Sequence, residues 1–391
     1  MKTAPLVILA GNLVHGFPGM NDLKARAADL EGRSTNELIG DLTGLPDDRL
    51  TKTGADIKAL LTGGQLPEEL LDRYDSVPGK DTPECKADTC CIWKHIADDM
   101  KSKMVGTAGR CNDLARGCVR LGFHDAATWS KATGPGGGSD GSIILARECY
   151  DRPINKGLEP TCDQMTNWFN QYKQYGISMA DLIQFAANVA TVTCPLGPRV
   201  RSFVGRKDNS NPAPDGLMPV PSDSADRLIS LFGDKTIAPD ELVALVGAHT
   251  TAQQRFVDPS RAGDPMDSTP GVWDVRFYGQ VLNPFSPRRV FKFQSDINLS
   301  QDPRTSGTWR GFSGLITGQI PWNLAYARAY IRLSLLGVNN INDLRECSKA
   351  LPSALDVFNS PDQPLLDAFA NGSLESAKDE VTKGDNITAT N

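Results

Sequence analysis

From Cys85 onward the apolar residues of this chain recur three and four positions apart in one segment after another, a period that admits helices and little sheet. CIWKHIADDMKSKMV, CNDLARGCVRLGFHDAA, ISMADLIQFAANVATVT, SDSADRLISLFG, APDELVALVGAHTTAQQ and WNLAYARAYIRLSLLG all carry it. Strand-like alternation is brief, confined to VRSFVGRKD and RRVFKFQSD. The loops between are long and rich in Gly and Pro: TGPGGGSDGS, NSNPAPDGLMPVPSDS and DPSRAGDPMDSTPG. Loops of that length in a helical domain usually hold ligands or cap a site. With 391 residues, 40% hydrophobic and 23% charged, the chain can build an ordinary globular core. A net charge of -6 without a basic stripe argues against nucleic-acid binding. No apolar run approaches the roughly 18 to 20 residues of a membrane span.

The nine cysteines, at 85, 90, 91, 111, 118, 149, 162, 194 and 347, fit no usual zinc spacing, and neighbours such as Cys90 and Cys91 rarely ligate one metal. A disulfide framework with one thiol left over is the better reading, and it implies an oxidising compartment. The opening MKTAPLVILAGNLVHGFPG joins Lys2 to an apolar stretch from Pro5 to Val14, interrupted by Asn12. Residues 1–20 therefore read as a secretory signal, with a buried N-terminal strand as the alternative. Sequons at Asn298, Asn371 and Asn386 agree with export and glycosylation. Residues 21–84, charged and without cysteine, read as an N-terminal extension or pro-segment. Residues 85–352 hold the main domain, and 353–391 read as a polar, flexible tail.

Only four histidines exist, His15, His95, His124 and His249, so any histidine chemistry comes from these. Arg120 and His124 stand four apart, on one helical face, with Phe123 at its border. A base and a fixed cation over a common pocket suit proton shuttling; an exposed surface pair is the plain alternative. Asp125 with Gly138-Ser139-Asp140-Gly141-Ser142 offers carboxylates, a hydroxyl and carbonyls. Such a set suits a hard cation such as Ca²⁺, bound at ~2.3 to 2.6 Å, or else an ordinary turn. Pro239, Asp240 and Glu241 suit a helix start and put Leu242, Leu245, Val246 and His249 on one stripe. A histidine there is a core residue or a metal ligand in a dry pocket. Thr250, Asp267-Ser268-Thr269 and Asp274 form a second oxygen-rich set.

RLGFHDA, GGGSDGS, CPLGPRVRSFVGRKD, DELVALVGAHTTA, DSTPGVWD and QSDINLSQDPRT follow one another between about Cys85 and Pro352. In them the chain resembles the secreted fungal (class II) haem peroxidases of the plant-peroxidase superfamily, the group of manganese and lignin peroxidases. The resemblance implies an all-α, two-lobed fold of about ten helices, with haem b between the lobes and two Ca²⁺ ions. It makes His124 the distal base that moves a proton between the peroxide oxygens. Arg120 becomes the cation that stabilises the departing oxygen, Phe123 the distal aromatic, and Asn155 of PINKGL the group that orients His124. His249 becomes the axial iron ligand and Asp296 of QSDINL its hydrogen-bond partner. The first calcium site would use Asp125, Gly138, Asp140 and Ser142; the second Thr250, Asp267, Thr269, the Val272 carbonyl and Asp274. The resemblance also implies the bridges Cys85–Cys91, Cys90–Cys347 and Cys111–Cys194. Cys149–Cys162 rests on proximity alone, with Cys118 as the free, buried thiol.

The chain also departs from that family. The positions that match its manganese ligands are Asp113, Gly117 and Arg255; one carboxylate beside a fixed cation would hold Mn²⁺ poorly, and Arg255 suits a haem propionate better. The exposed tryptophan of lignin and versatile peroxidases is replaced by Ala244, and Trp129, Trp168, Trp273, Trp309 and Trp322 read as core residues. Met266 stands where the family usually packs a phenylalanine against the proximal ligand, and the segment 21–84 has no family counterpart. The expected protein is a secreted, monomeric, generic peroxidase. It would reduce H₂O₂ and oxidise small phenols or dyes at the haem edge, near the loop Pro212–Pro221. One alternative is an intracellular enzyme similar to cytochrome c peroxidase; Phe123 in place of tryptophan, the calcium loops and the bridges disfavour it. The other is a non-catalytic secreted haem-fold effector, disfavoured by Arg120, His124, His249 and Asp296.

Overall fold

The helix Met179–Thr193 is buried on all sides, including a polar stripe of Asp181, Gln184, Asn188 and Thr191 whose side chains are hydrogen-bonded. Ser178 caps it by accepting from the Asp181 N–H. Its most extensive partner is the helix Asp113–Ala126, which Asn112 caps by accepting from the Ala115 N–H. Gly122 permits the close approach: a Cβ there would stand 2.7 Å from the Ala187 Cβ and 2.2 Å from the Tyr330 hydroxyl. A third long helix, Gln319–Leu333, packs against Pro239–Val246. The computed structural model describes residues 35–388. Among these are sixteen α-helices and one two-stranded antiparallel sheet, pairing Phe203 with Glu346 and Val204 with Arg345. The fold is thus all-α, more finely divided than ten helices. Residues 1–34, including the expected signal at 1–20, lie outside the described residues.

Three expectations need correction. RRVFKFQSD forms no strand. Its extended part sends N–H groups to scattered carbonyls, Arg289 to Ala370 at 2.9 Å and Phe291 to Pro265 at 2.8 Å, and the helix Gln294–Gln301 begins directly after it. The charged segment before Cys85 is no loose surface extension, because Ile39, Leu42, Ile57, Leu60 and Leu61 are buried in the main core. Arg332, itself buried, binds the segment by donating to the carbonyls of Thr35, Glu37 and Leu61 at 3.0, 2.8 and 3.2 Å. Its helix Lys52–Leu61 packs on the helix Gln319–Leu333.

The third correction concerns the tail. It folds into the helices Gln363–Ala370 and Lys378–Lys383 around a small core of Leu366, Phe369, Ala377, Val381 and Ile387. Its anchor is Asp362, ion-paired to the fully buried Arg110. Burial works against the Asp362 charge, but Arg110, the Ile387 N–H and Ser360 outweigh it and hold its pKa down to about 2. A carboxylate held below its unfolded value stabilises the fold above about pH 4, and that contribution is lost as pH falls through about 2. Asp362→Ala leaves a buried guanidinium unpaired and is expected to cost about 3 to 5 kcal/mol, read by denaturant unfolding. A cost below about 1 kcal/mol would show that Arg110 finds another partner or water.

Four disulfides join Cys85–Cys91, Cys90–Cys347, Cys111–Cys194 and Cys149–Cys162. Cys118 is free in the core, and burial pushes its thiol pKa far up. Trp129, Trp168, Trp273, Trp309 and Trp322 are all buried, as is Ala244.

Candidate active site

The helix Asp113–Ala126 brings Arg120, Phe123 and His124 to one wall of a cavity of about 610 Å³, a volume within the range of cofactor sites. The Asn155 Nδ2 donates to the Glu148 carbonyl at 2.9 Å, which turns its Oδ1 toward His124. The His124 Nδ1–H then donates to that oxygen at 2.8 Å. This tautomer leaves the Nε2 lone pair toward the cavity, where Arg120 Nε donates to it at 3.2 Å. Burial and the Arg120 charge push the His124 pKa down to about 3, against the Asn155 bond. The imidazole is therefore neutral and able to accept a proton. Burial lowers Arg120 to about 10, still protonated at neutral pH. Phe123 meets His124 edge-on, with centroids 5.8 Å apart.

The remaining Arg120 nitrogens donate to the carbonyls of Lys156 and Ile154, at 3.0 and 3.2 Å. Asn155 lies between those two residues, so one strap holds both Arg120 and His124. Cys149–Cys162 closes it over a sequence separation of 13. Replacing both cysteines with serine should cost about 3 kcal/mol through the loop-closure term. It should also slow the reaction with peroxide, because Asn155 and both carbonyls lose their tether. Stopped-flow mixing with H₂O₂ checks this; an unchanged rate in the less stable variant would show that the strap keeps its shape unaided.

The opposite wall carries His249. The helix Pro239–Val246 ends one turn earlier than the sequence period suggests and tightens into a 3₁₀ turn, Gly247–Thr251, that holds the histidine. Its Nδ1–H donates to Asp296 Oδ2 at 3.2 Å, and Nε2 has no hydrogen-bond partner among the described residues on the cavity side. Burial lowers the His249 pKa, but the charge and hydrogen bond of Asp296 outweigh it and the net shift is upward. Phe277 and Phe293 flank the ring edge-on, with centroids at 5.8 and 5.5 Å. They supply the aromatic packing that Met266, buried nearby in sequence, does not. A neutral imidazole held by a carboxylate on one nitrogen is an electron-rich metal ligand on the other.

Both oxygen-rich sets assemble. Around Asp125, the Gly141 N–H donates to Oδ2 at 3.3 Å, while Oδ1 is buried without a partner. Burial and the neighbouring Asp140 charge push the Asp125 pKa well up. Asp140 accepts from the Ser142 N–H at 3.1 Å and from Asn209 at 2.9 Å, and Gly138 turns the chain there with φ +73°. In the second set, Thr250 donates to Asp267 at 2.5 Å and lies 3.4 Å from the Val272 carbonyl; Thr269 donates to Asp274 at 2.8 Å. Burial pushes both carboxyl pKa values up, and Asp274 raises Asp267 further. The only cationic side chain paired with either is Arg276, 3.7 Å from Asp274, among the described residues. Orphaned oxygens and crowded carboxylates of this kind fit a bound divalent cation.

Where the sequence places the manganese-ligand positions, Asp113 is held by Arg116 at 3.2 Å and Arg255 at 3.4 Å, and Gly117 offers no side chain. Arg255 thus pairs with Asp113 and lines the cavity mouth. Sequence reasoning missed Arg116, which is buried and also donates to Gln253 at 2.8 Å and to the Thr382 carbonyl at 2.7 Å. Its position four residues before Arg120, on the same helical face, was the available signal. It missed Lys156, Gly157 and Phe256 as well, which meet only through tertiary contact.

A family model described as "Peroxidase" matches residues 97–314. The chain is 32% identical over 291 residues to "Peroxidase" of Arthromyces ramosus, covering 68% of this chain and 77% of that protein. It is 30% identical over 298 residues to "Manganese peroxidase H4" of Phanerodontia chrysosporium, covering 70% and 76%. It is 31% identical over 288 residues to "Versatile peroxidase VPS1" of Pleurotus eryngii, covering 68% and 75%.

Proposed function

Because the chain belongs to the peroxidase family, in its fungal class II haem branch, we propose that it is a secreted enzyme that reduces H₂O₂ and oxidises small phenolic or dye-like donors. The observation that carries this is the pairing, across one cavity, of the Arg120–His124–Asn155 set with the His249–Asp296 set. His249 Nε2 would hold the haem iron, and Arg255 would contact a propionate. When bound, the haem supplies the redox centre that takes two electrons from donors and passes them to peroxide.

The chain's own residues handle position and protons. His124 Nε2 accepts the proton of the incoming peroxide and returns it to the leaving oxygen, so water departs instead of hydroxide. Arg120 stabilises the charge that builds on that oxygen. Asn155 keeps Nδ1 protonated and Nε2 available. Phe123 walls the cavity beside His124 and restricts access to small molecules. Asp296 keeps His249 oriented and rich in electron density. Calcium at Asp125, Gly138, Asp140 and Ser142 would brace the residue next to His124. A second calcium at Thr250, Asp267, Thr269, Val272 and Asp274 would brace the residue next to His249.

Four bridges support export, with residues 1–20 as the signal. Asn371 and Asn386 are exposed and suit glycosylation, whereas Asn298 is half-buried in a helix. No helix among the described residues is long and apolar enough to cross a membrane. Function as a monomer belongs to the same reading.

Steady-state oxidation tests the substrate reading. A simple phenol should be consumed with H₂O₂, while Mn²⁺ should be oxidised poorly, because Asp113 is committed to two guanidinium groups. Efficient Mn²⁺ turnover would contradict it.

A further inference from the structure

The cavity mouth carries an arrangement that proton transfer does not use. Phe256 follows Arg255 on the segment that leaves His249, and it is 47% exposed. Its ring rests on Gly157 of the opposite strap: at φ +88°, a Cβ on Gly157 would stand 2.5 Å from Phe256 Cε2. One aromatic ring thus spans the rim from the His249 side to the His124 side. Lys156 Nζ lies 5.0 Å from the ring centroid, and its ammonium has no ion pair among the described residues. The neighbouring charges are engaged elsewhere. Arg255 is paired with Asp113 at 3.4 Å, and Glu159 accepts from the Gly157 N–H at 2.6 Å. Exposed Val220 and Val257, which also line the cavity, extend the apolar lip. The mouth therefore shows a half-exposed aromatic ring with one ammonium over it that no carboxylate among the described residues neutralises, on a chain whose net charge of -6 does not attract anions in general.

We infer that Phe256 and Lys156 form a donor subsite for phenolic carboxylates. The donor ring packs on Phe256, and its carboxylate pairs with Lys156. This rests on the peroxidase reading above and narrows its substrate class. A neutral phenol gains the ring contact alone, whereas a carboxylate adds a charge-assisted hydrogen bond. The pair is exposed, so the preference should be modest, about fivefold in affinity, and should shrink with added salt. Nothing at the equivalent place would favour a metal cation, since the free charge there is positive.

Two readouts on the haem-loaded full chain test this. Calorimetry with 4-methoxybenzoate and with 4-methoxybenzamide reports binding of ligands that lack a phenolic hydrogen. Turnover with 4-hydroxybenzoate and 4-hydroxybenzamide reports kcat/KM. The acid should bind about fivefold tighter than the amide. Lys156→Gln should remove that preference, Lys156→Arg should keep it, and Phe256→Ala should weaken both ligands alike. Equal binding of acid and amide by the wild-type chain, or a preference that survives Lys156→Gln, overturns the subsite. If 4-methoxybenzoate binds through Lys156 but neither phenol is oxidised, the subsite stands and the peroxidase reading fails.

Discussion

His124→Leu is expected to slow the reaction with H₂O₂ by about 10² to 10⁴-fold while haem remains bound, which is the span that a positioned general acid–base group contributes. The argument rests on the tautomer. Asn155 accepts from Nδ1, burial and Arg120 keep the ring neutral, and Nε2 is left with its lone pair toward the cavity. Leucine fills a similar volume but cannot take the proton, so peroxide must lose it to water. His249 and Asp296 lie on the other wall and keep their contact. Stopped-flow absorbance at the haem band measures the rate directly. A variant that reacts at the wild-type rate would remove His124 from the chemistry.

Calcium removal should have the second-largest effect, on stability and on rate together. Asp267 and Asp274 are both buried at a cost to their charged forms, Asp274 raises that cost for Asp267 further, and Asp125 keeps a buried oxygen without a partner. A cation present at a hundredfold excess over its Kd contributes about 2.7 kcal/mol to the folded state. Chelation should therefore lower the thermal midpoint by roughly 5 °C or more. Thr250 adjoins His249, and Asp125 adjoins His124, so both walls should loosen and the peroxide reaction should slow in step. Thermal unfolding with chelator, then with Ca²⁺ restored, checks this. A midpoint insensitive to chelation and to Asp267→Ala would mean that these sets are hydrogen-bonded turns and hold no ion.

The helices that carry the site were legible because their apolar period is strong and their caps are explicit, as in Asn112 before Asp113–Ala126 and Ser178 before Met179–Thr193. Arg120 and His124 could be paired from spacing alone. Other features depend on distant contacts. The segment before Cys85 looked detached because its charged residues outnumber the few apolar ones that dock it, and its main anchor, Arg332, lies near the far end of the chain. The polar tail looked flexible because Arg110, the charge that Asp362 neutralises, sits 252 residues away. RRVFKFQSD alternates in sequence but pairs with no neighbouring strand among the described residues; Arg289, Val290 and Phe291 are all buried in an extended segment whose N–H groups reach scattered carbonyls. Phe256 and Gly157 have no sequence relation, so their contact at the cavity mouth emerges only from the fold.

The most direct test of the central claim is the visible spectrum of the purified protein before and after one equivalent of H₂O₂, followed by a simple phenol or by Mn²⁺. The account predicts a haem band that changes on adding peroxide, returns with phenol and does not return with Mn²⁺. A haem band indifferent to peroxide would contradict the assignment of Arg120, His124 and His249 to catalysis, and recovery with Mn²⁺ would contradict the reading of Asp113 and Arg255.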